Sequence, residues 1–232
     1  DVYKRQIMDG NTLNAGAVAG VHNVRNPVLL ARKVMTESVH VMLIGEGAEA
    51  FAREQGIAFE DDAWFHTDYR WEQLQKARAK AKETADSAGA PDTWLSTVGA
   101  VALDKDGNLA AATSTGGMTN KRWGRVGDVP VIGAGTYADN ESCAVSATGH
   151  GEYFIRATVA RDICARVQYT GASLQQAADE VVMQKLVEMG GSGGIISLDP
   201  QGNISLTFNT PGMYRASIDR DGRVYVGIYN DE

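Results

Sequence analysis

The chain has 232 residues and a mass of 24.8 kDa, which is enough for one large domain or two small ones. Hydrophobic residues make up 44% of it and charged residues 22%, a balance that excludes disordered and collagen-like chains. The formal net charge is −7, so the composition provides no broad basic surface. This argues against nonspecific nucleic-acid binding and against docking to anionic membranes.

Several common site patterns are missing from the sequence. No apolar run approaches the ~20 residues that a membrane-spanning helix needs, and the four histidines show no HExxH-like spacing that would indicate a metal hydrolase. Cys143 and Cys164 are too few for a disulfide framework, which favours reduced cysteines and a cytoplasmic setting. The chain does not begin with Met and runs abruptly into an apolar, glycine-rich segment, so we expect a truncated reading frame, and no signal-peptide pattern is visible.

The first part of the chain predicts one buried strand followed by helices. The small and apolar residues of 7–21, above all the run 15–21, are typical of one buried strand with close backbone approach, and Asn-Pro opens a helix over 26–35. The segment 39–44 is either a short strand or a connection between helices. Further helices are predicted over 46–55 and over 69–85, the second one polar enough to lie on the surface.

After a small, polar segment at 87–96, which we interpret as a linker, strands dominate. Two apolar runs, 97–103 and 109–113, flank an Asp-Gly turn and predict a β-hairpin. A single amphipathic helix is expected over 152–167, and Ser173 with Gln176 forms a capping-box signal for a second helix. Six more strands are predicted over 130–136, 142–148, 195–198, 204–208, 213–218 and 223–229. Strands and helices in separate blocks indicate an α+β fold, with two antiparallel sheets covered by helices.

Three polar clusters lie at predicted strand ends, where a rigid scaffold usually presents functional groups. They are Thr113–Gly117, Gly124–Asp128 and Ala147–Gly151. Each also has a purely structural interpretation: threonine is common in strands, Arg125 and Asp128 could form a surface ion pair, and the glycines could permit a tight turn. The glycine run 190–194 lacks a Gly-Lys-[Ser/Thr] ending, so a flexible turn is a better interpretation than a phosphate loop. His150 has no nucleophilic Ser motif nearby, which argues against a role as a base.

Five stretches taken together carry a more specific signal: Met8–Gly20, Thr97–Lys121, Gly124–Pro130, Gly133–Gly135 and Gly191–Gly194. In these stretches the sequence resembles the plant-type asparaginase/isoaspartyl peptidase family of N-terminal-nucleophile hydrolases. The resemblance extends over nearly all of residues 8–229. It implies a four-layer αββα sandwich of two mainly antiparallel sheets. It also implies an autoprocessing amidohydrolase that releases L-aspartate from isoaspartyl dipeptides and L-asparagine, without a catalytic cofactor.

The resemblance implies that the chain cleaves itself between Ser96 and Thr97. The freed α-amino group of Thr97, with a reference pKa of ~7.7–8.0, would activate the hydroxyl of the same residue. Ser96 stands where this family commonly has Gly, although its relatives also accept Asp there. The resulting parts would be residues 7–96, a partial α subunit, and residues 97–232, the β subunit, together forming one domain.

The remaining site residues receive roles from the same resemblance. Thr115 would hydrogen-bond the nucleophile, and the Thr148 hydroxyl with the Gly149 N–H would form an oxyanion hole. Arg125 would bind the substrate's α-carboxylate, and Asp128 its α-ammonium group.

Further features of the family concern residues around the site and segments outside the sequence. Gly99 and Gly151 would give backbone room, with Gly151 lining the substrate site. The family's opening strand and its structural sodium loop are absent from this sequence. The family also implies a dimer of αβ units. A glycosylasparaginase is the alternative enzyme, disfavoured by the cysteine count. A truncated, non-catalytic fragment or scaffold is the alternative of another class.

Overall fold

The structure is a computed structural model that describes residues 3–83 and 97–230. Its larger sheet has five strands in the order β3-β2-β1-β5-β4. Strand β1 pairs antiparallel with both β2 and β5, β4 is antiparallel to β5, and β3 is parallel to β2. The strands are β1 Tyr3–Asp9, β2 Ala15–Val21, β3 Met42–Ile44, β4 Thr97–Leu103 and β5 Leu109–Thr115.

The second sheet has four antiparallel strands in the order β6-β7-β8-β9. A separate hairpin, β10-β11, follows it in the chain. The strands are β6 Thr136–Ala138, β7 Ala144–Gly149, β8 Gly193–Leu198, β9 Ile204–Ser205, β10 Gly212–Ile218 and β11 Val224–Tyr229.

Helices lie between some of these strands, after β2, after β3 and after β7. In chain order they are α1 Pro27–Glu37, α2 Gly45–Glu54, α3 Asp62–Phe65, α4 Asp68–Glu83, α5 Gly151–Ala157, α6 Val159–Thr170, α7 Leu174–Asp179 and α8 Leu186–Glu188, with a π-helical turn at Glu180–Lys185. None of the helices within 3–83 and 97–230 has both the length and the apolar character needed to cross a membrane. Ser173 Oγ accepts a hydrogen bond from Gln176 N at 3.2 Å, which confirms the predicted cap of α7.

Four layers result from how these elements pack. Helices α1 and α2 cover the outer face of the five-stranded sheet, and α5–α8 cover the outer face of the four-stranded sheet. The two sheets face each other through β4 and β5 on one side and β7 and β8 on the other. A Cβ at Gly16 would overlap the carbonyl oxygen of Ala31, so α1 approaches β2 as closely as the sequence predicted. The α+β sandwich predicted from the sequence is confirmed.

The single strand predicted over 7–21 is wrong, because β1 and β2 are two antiparallel strands separated by residues 10–14. Two further predicted elements differ from the structure because tertiary hydrogen bonds override local preference. The predicted helix 152–167 is wrong as one helix: it divides at Thr158, whose φ is 48°. The first amides of α6 bond across to another segment, Ala160 N to Ala134 O and Arg161 N to Gly133 O. The predicted strand 130–136 is also wrong, because hydrogen-bonded turns occupy that segment before β6 begins at Thr136.

The cysteines form a disulfide, so the expectation of reduced cysteines is wrong for this structure. Cys143 precedes β7 and Cys164 lies in α6, and both are buried. Packing of α6 on the four-stranded sheet brings these residues, separated by 21 positions, to a Cα–Cα distance of 5.2 Å. A sequence with two cysteines at this spacing gives no signal for their pairing. The predicted linker 87–96, including Ser96, lies outside the described residues.

Candidate active site

Thr97 occupies the first position of β4, directly opposite Thr115, the last residue of β5. This pairing follows from the hairpin register that the Asp-Gly turn sets. Thr97 Oγ1 lies 3.3 Å from Thr115 Oγ1, within hydrogen-bond distance. Thr115 Oγ1 also accepts a hydrogen bond of 2.9 Å from Gly117 N, which fixes the rotamer of its side chain. The structure therefore brings the predicted nucleophile and its predicted hydrogen-bond partner together.

A buried row of hydroxyl groups joins the two sheets beneath this pair. Thr113 Oγ1 lies 2.6 Å from Ser146 Oγ, and Thr136 Oγ1 donates to Thr113 Oγ1 at 2.6 Å. A Cβ at Gly99 would overlap the Ser146 hydroxyl, so only glycine allows β4 to approach β7 here. The prediction that Gly99 provides backbone room is confirmed, and the hydroxyl row is a feature that the sequence did not reveal.

The predicted oxyanion residues, Thr148 and Gly149, are the last two residues of β7, which packs against β5 across the interface between the two sheets. Leu109 N, at the start of β5, donates to Asn140 Oδ1 at 2.8 Å, and Thr113 contacts Ser146 further along. β5 and β7 therefore run in the same direction, and Thr148 and Gly149 lie at the same edge of the sandwich as Thr115. A Cβ at Gly149 would overlap the Phe154 ring, so this position is restricted to glycine.

Arg125 and Asp128 meet at Gly151, the first residue of α5. A Cβ at Gly151 would lie 2.8 Å from Arg125 Nη2 and 2.7 Å from Asp128 Oδ1, so glycine leaves a small space between them. A Cβ at Gly117 would lie 3.5 Å from Arg125 Nη1, which places the guanidinium beside the segment that follows Thr115. Both charged residues belong to the described part of the chain and they form no ion pair with each other, so the surface ion-pair interpretation is wrong.

Asp128 is a buried carboxylate without a full set of partners. The residue is 6% exposed, and Oδ2 has no hydrogen-bond partner within residues 3–83 and 97–230. Burial raises the pKa of Asp128 to about 6, and the hydrogen bond from its own backbone N–H and the charge of Arg125 only partly oppose this shift. Oδ2 lies against Gly135, and Oδ1 faces the space at Gly151. A desolvated carboxylate with one oxygen toward such a space is suited to receive a cation.

Glu152 is a site residue that the sequence analysis missed. Arg125 donates from Nε to Glu152 Oε1 and from Nη2 to Glu152 Oε2, each at 2.8 Å. These hydrogen bonds lower the pKa of the Glu152 carboxyl. His150 Nε2 lies 3.5 Å from the same carboxylate, so His150 touches the periphery of the site. An acidic residue in the first turn of the helix after a glycine loop was the available signal, and it does not identify the partner.

Two lysines add positive charge near Gly117, where a Cβ would lie 2.9 Å from Lys4 Nζ and 3.6 Å from Lys121 Cδ. Lys4 Nζ is buried, and the described residues supply it with no hydrogen-bond partner. Its pKa is lowered to about 8, first by burial and then by the charges of Arg125 and Lys121. Burial also lowers the pKa of Lys121. Lys4 pairs with Thr115 in the sheet, a neighbour relation that no sequence pattern signalled.

A cavity of about 800 Å³ opens beyond the Gly116–Gly117 backbone. The loop 116–121 forms one wall of it, and His66 and Trp71 lie among the residues of the opposite wall. Gly117 lines this cavity and its N–H donates to Thr115 Oγ1, so the cavity lies close to the threonine pair. The described ranges contain no group of three or more His, Cys, Asp or Glu side chains arranged to hold a metal ion.

Comparison with known proteins identifies the family. The family profile described as Asparaginase matches residues 4–228. The isoaspartyl peptidase of Escherichia coli strain K12 is 57% identical over 229 residues, which cover 97% of this chain and 71% of that protein. The isoaspartyl peptidase/L-asparaginase of Xenopus laevis is 42% identical over 229 residues, with the same shares covered. The family resemblance of the sequence motifs is therefore confirmed: this chain belongs to the asparaginase family.

Proposed function

We propose that this chain is an amidohydrolase that releases L-aspartate from β-aspartyl dipeptides and from L-asparagine, with Thr97 as its nucleophile. The observation that carries the proposal is the Thr97 hydroxyl, 3.3 Å from Thr115 at the first position of β4. It lies at the same edge of the sandwich as an arginine and a buried carboxylate. The names of the relatives, isoaspartyl peptidase and isoaspartyl peptidase/L-asparaginase, support this substrate class.

The proposed first step is cleavage of the chain's own backbone. Thr97 Oγ attacks the carbonyl carbon of Ser96, the peptide C–N bond breaks, and an ester forms with the proton transferred to the Thr97 nitrogen. Water then hydrolyses the ester, leaving the carboxylate of Ser96 and a free amino group on Thr97. A nucleophile at a strand end suits this step, because the new terminus stays fixed by the β4–β5 ladder.

In the mature form, Thr97 would supply both nucleophile and base. An α-amino group has a reference pKa of ~7.7–8.0, so a useful fraction is neutral near pH 7.5 and can accept the hydroxyl proton. Thr115 orients the hydroxyl by the contact already described. No cofactor enters this proposal, and no residue described here is assigned to the structural sodium that the family resemblance implies.

The substrate's aspartyl head would bind between Arg125 and Asp128. With a pKa of about 6, Asp128 is mostly ionised at neutral pH and can pair with the α-ammonium group. Arg125 donates to the α-carboxylate, and the glycine at position 151 leaves room for the head between the two side chains. The β-carbonyl then faces Thr97.

Attack of the Thr97 hydroxyl on the β-carbonyl gives a tetrahedral oxyanion. The Thr148 hydroxyl and the Gly149 N–H would donate to it, and such donors are worth ~3–4 kcal/mol each in transition-state stabilisation. Collapse expels ammonia or the amine of the leaving amino acid, which takes the proton held by the Thr97 amine. Water activated by the same amine hydrolyses the aspartyl ester and frees L-aspartate.

The alternative enzyme is a glycosylasparaginase. The cysteine argument against it no longer applies, because Cys143 and Cys164 form a disulfide. The relatives named isoaspartyl peptidase still favour the dipeptidase. We further propose that residues 7–96 and 97–232 are the α and β parts of one domain and that two αβ units form a dimer. The cytoplasmic location expected from reduced cysteines loses that support, because the two cysteines form a disulfide.

The experiment is intact-mass measurement of the purified chain together with hydrolysis of β-Asp-Leu and L-asparagine. We expect two polypeptides, the second beginning at Thr97, and release of L-aspartate. Thr97→Ala should stay uncleaved and inactive. Thr170→Ala, which changes an exposed threonine on α6, is the matched control and should process normally. An uncleaved chain without amidase activity would favour the fragment or scaffold alternative.

A further inference from the structure

Arg125 and Asp128 carry opposite charges, face one Cβ-sized space at Gly151, and yet do not pair. Asp128 is buried, its Oδ2 lacks a hydrogen-bond partner in the described part of the chain, and the Arg125 side chain is only partly exposed. Opposite charges in a desolvated site attract strongly, so two such groups would be expected to form a bidentate pair. Another contact must hold the guanidinium in its observed position.

Glu152 makes that contact. It lies in the first turn of α5, next to Gly151, and its carboxylate binds Arg125 Nε and Nη2 at 2.8 Å each. The Arg125 side chain is 17% exposed, whereas that of Glu152 is 46% exposed, so Glu152 approaches the guanidinium from the solvent side. Arg125 Nη1 remains on the inner side, near the Cβ positions of Gly117 and Gly127.

We propose that Glu152 is a positioning residue that holds Arg125 apart from Asp128, so that both charges stay available to the substrate. This inference rests on the proposed function, because the groups kept available are the carboxylate and ammonium ligands of an aspartyl head. Glu152 occupies the Nε edge of the guanidinium. The substrate's ammonium group would bind at Asp128 Oδ1, which faces the space at Gly151, and its α-carboxylate would bind at the guanidinium N–H groups that Glu152 leaves free.

Loss of Glu152 then has a defined consequence. Arg125 would turn to Asp128, its nearest buried counter-charge, and the two groups would neutralise each other. A substrate must break that pair before it binds, so KM rises by about tenfold, the order expected for one close charge pair. The kcat value changes much less, because Thr97, Thr115 and the oxyanion donors are untouched.

The test compares Glu152→Ala and Glu152→Gln with the wild-type enzyme, using β-Asp-Leu as substrate. Glu152→Ala should raise KM about tenfold with kcat within about threefold, and Glu152→Gln, which keeps one acceptor oxygen, should give a smaller rise. Glu180→Gln is the matched control, since it removes the carboxylate partner of Arg166 far along the chain from Arg125 and should leave KM unchanged. An unchanged or lower KM in Glu152→Ala would overturn the proposal, because Glu152 would then merely compete with substrate.

A second measurement does not depend on activity. A crystal structure of Glu152→Ala should show Arg125 in direct contact with Asp128, and an Arg125 that keeps its present position would refute the inference. The pH at which KM rises should also move downward, because direct pairing lowers the Asp128 pKa. Besides Arg125, the charges that act on Asp128 are Glu152 and Lys4, and only Glu152 is changed. Failure of the proposed function would appear separately, as absent cleavage or hydrolysis in the wild-type enzyme.

Discussion

Asp128 gives the sharpest prediction, a rise of KM in mild acid. Its carboxyl has a pKa of about 6, raised from 3.8 mainly by burial. The ionised form binds the substrate's ammonium group, and this form is lost as the pH falls through about 6. At pH 5 only about one-tenth of the carboxyl groups remain ionised. We therefore expect KM to be about tenfold higher at pH 5 than at pH 7.5.

The assay is initial-rate kinetics on L-asparagine and β-Asp-Leu across this pH range. The Thr97 amine, with a reference pKa of ~7.7–8.0, affects chiefly kcat. The titrations of Asp128 and of this amine can therefore be distinguished when KM and kcat are plotted separately against pH. Asp128→Asn keeps the shape of the side chain and should show a high KM that no longer depends on pH. A wild-type KM that stays flat down to pH 5 would refute the role given to Asp128.

The raised pKa of Asp128 also affects stability, but here a lower pH is favourable, whereas for substrate binding it is unfavourable. Because the folded protein holds this proton more tightly than the unfolded chain, the contribution of Asp128 to stability improves as the pH falls from about 6 to about 4. The shift of about two units corresponds to at most about 3 kcal/mol. Asp128→Asn should therefore raise the free energy of unfolding at neutral pH while it weakens substrate binding, and equal or lower stability would contradict this.

Two further predictions concern Gly151 and the disulfide. Gly151→Ala places a methyl group 2.7 Å from Asp128 Oδ1 and should raise KM at least tenfold while self-cleavage proceeds. The control is Gly47→Ala, because Gly47 in α2 has open space around it. Equal kinetics of the two variants would refute the steric argument. Replacing Cys143 and Cys164 together by alanine should lower the free energy of unfolding by about 3 kcal/mol, the value expected for a loop of this length, as measured by urea denaturation under oxidising conditions. An unchanged urea midpoint would show that the bond contributes nothing.

The sequence was sufficient to predict those elements whose structure depends on residues close together in the chain. The hairpin that pairs Thr97 with Thr115 follows from alternating apolar runs around an Asp-Gly turn, and the α7 cap follows from Ser173 and Gln176. The break in the helix at Thr158 could not be predicted, because it depends on hydrogen bonds from a turn more than twenty residues earlier.

The site likewise contains residues that the sequence identified and residues that it did not. Motifs that resemble the family identified Thr97, Arg125 and Asp128, and the structure brings Arg125 and Asp128 together around Gly151. Glu152 escaped notice because its meaning depends on a contact with a residue 27 positions away. The disulfide escaped for a related reason, since only the packing of α6 on the second sheet brings its two sulfur atoms together.

The central claim is that the Thr97 side chain forms the covalent bond to substrate. Acid quenching during turnover of β-Asp-Leu, followed by peptide mass mapping, measures this directly. We expect one aspartyl group, in ester linkage, on the polypeptide whose first residue is Thr97. An aspartyl group on any other residue, or hydrolysis by a chain still intact between Ser96 and Thr97, would contradict it.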